Sequence, residues 1–139
     1  MSLEPILLDT CAVIWTGLNQ SMDPNALDEI SRAYSLGNDT YVSPITAWEL
    51  GLLYSRGRLA LPTHPMVFFT DVCATPGMRQ CALTDRILME SSFLPGSPHT
   101  DPADRIMIAT ARTHGLRIMT RDARILDYAD KGHVLALAC

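Results

Sequence analysis

The chain has 139 residues, of which 47% are hydrophobic and 19% charged, a composition typical of a folded globular protein. Fifteen acidic and eleven basic residues give a net charge of −4, which argues against a protein that coats nucleic acid with a basic surface. The sequence contains neither an apolar run near the ~20 residues of a membrane span nor a basic leader before an apolar segment. We therefore predict one cytoplasmic domain over residues 1–139, without a membrane anchor.

Predicted strands and helices alternate along the whole chain. The first strand, 5–8, is apolar at every position, as in strands that are buried on both faces of a sheet. The predicted strands are 5–8, 40–43, 80–83, 116–120 and 134–137, and the predicted helices are 11–18, 25–36, 45–54, 66–74, 86–93, 102–114 and 122–128. This alternation predicts an α/β fold, a three-layer α/β/α sandwich around a central, mostly parallel sheet.

Three aspartates occupy similar places in this layout. Asp9 follows the first strand, Asp122 follows the strand 116–120, and Asp104 lies in the first turn of the helix 102–114. Ligands of open parallel sheets bind beyond the carboxyl ends of the strands, so we expect these side chains to approach one crevice. An aspartate at the start of a helix also caps it, and for each residue taken alone this structural role remains an alternative.

Glu49 lies on a helix that is apolar almost all round. Ile45 stands four residues before it and Leu52 three residues after it, so Glu49 shares a face with apolar side chains. A buried, unpaired carboxylate costs several kcal/mol, and it is tolerated when it is protonated, paired with arginine or close to a cation. The alternative is an acid on a solvated helix face.

If these four acids converge, they form a cluster of hard oxygen ligands. Such ligands select Mg²⁺ or Mn²⁺. A metal ion held in this way activates a water molecule for attack on a phosphodiester and stabilises the leaving oxygen. The pattern thus favours metal-dependent hydrolysis of a phosphodiester.

Four segments carry a family resemblance. They are Leu-Leu-Asp-Thr at 7–10, Ser-Pro-Ile-Thr-Ala-Trp-Glu-Leu at 43–50, the stretch 99–111 that begins His-Thr-Asp-Pro-Ala-Asp-Arg, and 116–122. In order and spacing the chain resembles a PIN-domain ribonuclease, most closely the VapC-type toxins of toxin–antitoxin pairs. The resemblance implies Mg²⁺- or Mn²⁺-dependent cleavage of RNA and inhibition by a cognate antitoxin. It also favours a homodimer.

The resemblance also implies roles for particular residues. The metal would be held by Asp9, Asp104 and Asp122, and Glu49 would complete the acidic site. Thr10 and Thr120 would donate hydrogen bonds to the ligands, and Asp101 would be a supporting acid.

Basic and apolar residues near these segments have two interpretations each. Arg105, Arg121 and Arg124 would bind RNA phosphates, since the arginine fork suits bidentate contacts; alternatively they pair with nearby acids. The apolar residues around Trp15, at 48–53 and at 67–69 belong to the core, or form a groove for an antitoxin helix or a second copy of the chain.

Two other functions share these features. A phosphatase with an aspartyl nucleophile would place a second aspartate two residues after Asp9, where this chain has Cys11. A noncatalytic PIN-like module would bind RNA or a partner, although it would have no reason to keep four mutually repelling acids. The spacing of the cysteines and histidines predicts reduced thiols and no zinc site.

Overall fold

Five strands form one sheet in the computed structural model, which describes residues 4–96 and 98–139. The strands are β1 Ile6–Leu8, β2 Thr40–Val42, β3 Met78–Gln80, β4 Arg117–Thr120 and β5 Leu135–Ala138. The helices are α1 Thr10–Gly17, α2 Pro24–Ser35, α3 Pro44–Ser55, α4 Pro65–Ala74, α5 Asp85–Glu90, α6 Pro102–His114 and α7 Ala123–Asp130. The strand order is β3-β2-β1-β4-β5 and every neighbouring pair is parallel, which confirms the predicted α/β fold.

The first strand lies at the centre of the sheet. Ile6 of β1 pairs in register with Thr40 of β2 on one side and with Arg117 of β4 on the other. Because the strands are parallel, their carboxyl ends meet at the same edge. The residues that follow β1, β2 and β4 therefore lie side by side there.

The core occupies both faces of this sheet. Leu8 packs in one apolar cluster with residues of α1, α3 and α4. The preceding residue of the strand, Leu7, packs in a second cluster with residues of α6 and α7. Alternate residues of a strand point to opposite faces, so the helices form layers on both sides. Both layers support the edge at which the acids lie. Within the described residues, the structure contains no helix long and apolar enough to cross a membrane.

Two predicted elements, β3 and α5, end three residues earlier than predicted, whereas the boundaries of the other elements differ from the predictions by two residues or fewer. The strand predicted over 80–83 is Met78–Gln80, because pairing with β2 begins directly after the turn, where the Thr40 amide donates to the Gly77 carbonyl at 2.7 Å. The helix predicted over 86–93 is Asp85–Glu90, since the Ser91 hydroxyl donates to the Leu88 carbonyl at 2.6 Å and tight turns follow. Neither change moves a predicted site residue.

Candidate active site

Three aspartates cap helices at the carboxyl edge of the sheet. Asp9, Asp101 and Asp122 are the N-caps of α1, α6 and α7. The two carboxylate oxygens of Asp122 have different hydrogen-bond partners. Oδ1 accepts the Arg124 and Ile125 amides at 2.8 and 3.3 Å, while Oδ2 lies 3.0 Å from Nε2 of His99. Capping and membership of an acidic site are thus compatible roles of a single carboxylate.

A buried histidine joins two of the predicted ligands. Nε2 of His99 lies 3.1 Å from Oδ2 of Asp104 and 3.0 Å from Oδ2 of Asp122. Within residues 4–96 and 98–139, these three side chains are the one group whose potential metal-binding atoms all lie within 4.8 Å of one another. Asp9 and Glu49, both predicted for the site, lie outside that group.

The hydrogen bonds of His99 fix its tautomer. Nδ1 accepts the backbone N–H of Asp101 at 3.0 Å, so Nδ1 carries no proton. The proton of the neutral ring is then on Nε2, which donates to the carboxylates of Asp104 and Asp122. In this tautomer Nε2 has no free lone pair for a cation. His99 therefore orients the acids as a donor and leaves their remaining oxygen lone pairs for a metal ion.

The two carboxylates that share His99 differ in pKa. Burial raises the pKa of Asp104 from 3.8 to about 7; His99 works against this rise, and the negative charges of Asp101, Glu49 and Asp122 add to it. Partial burial would also raise the pKa of Asp122, but the His99 hydrogen bond and the two capping amides outweigh it, so that pKa lies below its usual value. Asp104 is thus the acid that most needs a neighbouring cation.

Thr120 connects Asp9 to Asp122. Its buried hydroxyl oxygen accepts the Asp122 amide at 3.0 Å, and its own proton is directed to the Asp9 carboxylate. Burial raises the pKa of Asp9, while the bonds from Thr120 and the Ala12 amide lower it and the charge of Asp122 raises it. Asp9 is therefore a buried acid held in one orientation beside a second carboxylate.

Glu49 is held by a hydrogen bond from Thr10, which is itself hydrogen-bonded to Thr46. The Thr10 hydroxyl donates to Oε1 of Glu49 at 2.5 Å, and Thr10 and Thr46 share a hydrogen bond of 3.2 Å. A hydroxyl has a single proton, so Thr46 must be the donor to Thr10. Burial raises the pKa of the half-buried Glu49, the Thr10 bond lowers it, and the charges of Asp101 and Asp9 raise it.

The charges of all four predicted acids affect the pKa of the Cys11 thiol. Partial burial, followed by the charges of Asp9, Glu49, Asp104 and Asp122, raises its pKa to about 11. The thiol therefore lies within electrostatic reach of all four predicted acids. Of the four predicted acids, the structure brings Asp104 and Asp122 together on Nε2 of His99, and Asp9 and Glu49 lie outside that group.

Two of the three predicted RNA-binding arginines are engaged inside the protein. Arg105 donates to the carbonyls of Ser91 and His99 at 2.9 and 3.3 Å, so it supports the loop that carries His99. Arg121 donates to the carbonyls of Cys139 and Ser21 and stacks on Trp15 at 3.7 Å from the ring centre. By contrast, the guanidinium of Arg124 has no partner in the described part of the chain.

Sequence reasoning missed His99 and Thr46. His99 lacks a second histidine at metal-ligand spacing, and its loop has no periodicity, so nothing in the pattern directs it to the acids. The usable signal is its place two residues before the capping Asp101. For Thr46 the signal is its position three residues before Glu49, which places both on one face of α3.

The matching protein-family model is that of the PIN domain, over residues 6–131. The chain belongs to the PIN-domain family. It is 31% identical over 124 residues to Ribonuclease VapC22 of Mycobacterium tuberculosis (strain ATCC 25618 / H37Rv), which covers 88% of this chain and 91% of that protein.

Solved structures show the same fold. In the crystal structure of VapBC2 from Rickettsia felis bound to a DNA fragment from their promoter, the similar chain gives a TM-score of 0.66 at 9% identity, covering 96% of this chain and 97% of that chain. In FitAcB from Neisseria gonorrhoeae, the TM-score is 0.50 at 24% identity, covering 95% and 96%. The PIN fold is therefore shared at low sequence identity.

The raised pKa of Asp104 predicts how pH affects the metal-free protein. Between about pH 4 and 7 the folded state keeps a proton on Asp104 that the unfolded chain has released, so folding takes up a proton. The stability of wild type relative to Asp104→Asn should therefore fall as the pH rises through this range and stay constant above it. The melting temperatures of wild type and Asp104→Asn in EDTA, compared across this pH range, measure this difference in stability. A difference that does not change with pH would contradict the assignment.

Proposed function

We propose that this chain is a divalent-metal-dependent endoribonuclease and the toxin of a toxin–antitoxin pair. The observation that carries the proposal is the cluster of His99, Asp104 and Asp122 at the carboxyl edge of a PIN-family sheet, with Asp9 and Glu49 as neighbouring acids. The similarity to a protein named Ribonuclease VapC22 supports RNA as the substrate, and the VapC-type resemblance supports an antitoxin partner and a homodimer. Cytoplasmic action fits the four free cysteines.

The donor set fits Mg²⁺ or Mn²⁺. It consists of carboxylate oxygens, of which those of Asp9 and Asp104 have raised pKa values because they are buried among other acids. A cation offsets this repulsion, and hard divalent ions prefer such oxygens. Asp9, Asp104 and Asp122 would hold the ion. When bound, it supplies an activated water molecule and stabilises the charge that develops on the phosphodiester.

The side chains of this chain have distinct tasks in that reaction. His99 keeps Asp104 and Asp122 together, and Thr120 keeps Asp9 beside Asp122. Glu49, whose carboxylate accepts a hydrogen bond from Thr10, would accept a proton from a water molecule beside the acids. Asp101 supports α6 as its cap, since its Oδ1 accepts the Ala103 and Asp104 amides at 2.9 and 3.1 Å.

The two alternative functions have less support. In an aspartyl phosphatase, the residue at position 11 would act as a general acid or base, and a thiol with a pKa of about 11 is poorly suited to that role near neutral pH. A noncatalytic module would gain nothing from buried acids that raise one another's pKa values.

A cleavage assay tests the proposal. The purified protein is expected to cut single-stranded RNA internally with Mg²⁺ or Mn²⁺, and EDTA should stop the reaction until the metal is added back. Titration calorimetry with Mn²⁺ alone provides a readout that is independent of turnover. Release of phosphate from a small monoester without RNA cleavage would instead identify a phosphatase. Metal binding with neither reaction would favour the noncatalytic module.

A further inference from the structure

We propose that a surface groove along α3 binds the single-stranded RNA beside the bond that is cut; this inference rests on the proposed function. The groove has a volume of about 370 Å³, and its lining includes Glu49 and Asp101 of the acidic site. Its other lining residues are Trp48, Leu52, Leu53, Arg56, Arg58, Pro102 and Ala103. We call it the α3 groove.

The α3 groove leads directly away from the acids. Leu52, Leu53 and Arg56 follow Glu49 by three, four and seven residues, so all four side chains lie on one face of the helix and its C-cap. Seven residues of helix correspond to ~10.5 Å along the axis. Along the helix, the apolar side chains of Leu52 and Leu53 therefore lie about one turn from the Glu49 carboxylate, and Arg56 lies about two turns from it.

The arginines at the far end of the groove are free to bind a ligand. Of the ten arginines, seven have hydrogen bonds or ion pairs through their side chains. Within residues 4–96 and 98–139, the guanidinium groups of Arg56, Arg58 and Arg124 make none. In a protein with a net charge of −4, two unpaired cations at positions 56 and 58 match a chain of phosphates.

The third unpaired arginine continues this surface on the opposite side of the acids. Arg124 lines a second groove of about 570 Å³ together with His99, Thr100, Asp127 and Lys131, and the last two of these form an ion pair. An RNA strand that crosses the acidic site therefore meets unpaired arginines before and after the cut. The acids between them repel phosphates except where a metal ion neutralises them, which sets the position of the scissile phosphate.

An exposed tryptophan supports a nucleic-acid strand in the α3 groove. The side chain of Trp48 is 54% exposed, although the helix that carries it packs its opposite face into the core. An indole face stacks on any base and contributes ~1–3 kcal/mol per base, without reading the sequence. Trp48 beside two free arginines therefore combines the two contacts on which single-strand binding depends.

RNA affinity tests the proposal. In an Asp104→Asn background, which prevents cleavage, fluorescence anisotropy with a mixed-sequence single-stranded oligonucleotide would be measured over a range of KCl concentrations. Arg56→Ala with Arg58→Ala should weaken binding by about 10-fold and reduce the log–log salt slope by about 1.4, that is 0.7 for each lost phosphate contact. The matched control is Arg79→Ala with Arg86→Ala, two exposed arginines that already form ion pairs. In the otherwise wild-type enzyme, the groove variant should raise KM and leave kcat unchanged.

Tryptophan fluorescence provides a second measurement. RNA should quench the emission of Trp48, and Trp48→Leu should abolish this quenching and weaken binding, while Trp15 remains as the internal reference. If the groove variants match the control variant in affinity, salt slope and quenching, the proposal is overturned. It is equally overturned if they lose only the binding of an antitoxin helix. In either case, metal-dependent cleavage by the wild type would leave the proposed function standing, whereas its absence would refute both.

Discussion

Replacing Asp104 with asparagine is expected to lower the rate of RNA cleavage by about 1000-fold or more, equivalent to ~4 kcal/mol of transition-state stabilisation. Asparagine keeps the shape of the side chain and removes the charge that, in the proposed site, would hold the cation. The fold should persist, because the amides at the start of α6 are capped by Asp101 and not by Asp104. At neutral pH the metal-free variant should even be more stable than wild type, since a buried acid with a pKa of about 7 is lost. Cleavage rates, Mn²⁺ calorimetry and thermal melting measure the three effects.

A substitution of the same kind elsewhere provides the control. Asp23 caps α2 by accepting the Asn25 amide at 2.8 Å and is exposed, outside the acidic site. Asp23→Asn should leave cleavage and metal affinity unchanged, because asparagine caps helices as well as aspartate does. Asp9→Asn should behave like Asp104→Asn. If Asp104→Asn and Asp9→Asn cut RNA as fast as Asp23→Asn does, the metal site proposed here does not exist.

His99 is expected to have the next largest effect, and a graded series separates its two hydrogen bonds. In His99→Asn, the short side chain reproduces only the acceptor at the Nδ1 position. In His99→Gln, the longer side chain places an amide donor near the Nε2 position, and His99→Leu removes both groups. We expect the asparagine and leucine variants to lose about 10–100-fold in Mn²⁺ affinity and in cleavage, the range typical of groups that orient metal ligands. Glutamine should restore most of both.

Two outcomes would contradict this role. Wild-type Mn²⁺ affinity in His99→Leu would show that Asp104 and Asp122 need no shared donor. Equal losses in the glutamine and leucine variants would show that the hydrogen bond to the carboxylates determines neither the Mn²⁺ affinity nor the cleavage rate. Thermal melting in EDTA distinguishes a general loss of stability, because a purely structural histidine would lower the melting temperature without changing the affinity of the folded protein for the metal.

The sequence predicted the fold because each of its local signals agrees with the others. Apolar strands such as Ile6–Leu8 alternate with helices that start at a cap followed by proline, as at Asp101 and Pro102. Such signals act over a few residues and do not depend on distant partners. The position of Asp9 directly after a strand follows from the same alternation, and it indicated which edge would carry the site.

The remaining features depend on contacts between distant residues. The pattern does not show that Arg121 is held by the carbonyls of Cys139 and Ser21, or that Arg56 has no partner. In the same way, His99 lies in a loop whose course no periodicity determines, and it contacts Asp122, which is 23 positions further along the chain. Such pairings are decided by tertiary packing, and local propensity does not encode them.

The pairing of β1 with β4 has a consequence for the biogenesis of this protein. The sheet order places the fourth strand in the chain against the first, and Asp122 follows that fourth strand. During synthesis, therefore, a growing polypeptide contains the first two acidic segments long before the last one leaves the ribosome. The proposed metal site therefore cannot form in the nascent chain before Asp122 has been synthesised, and cleavage of RNA at that site would begin only after this point.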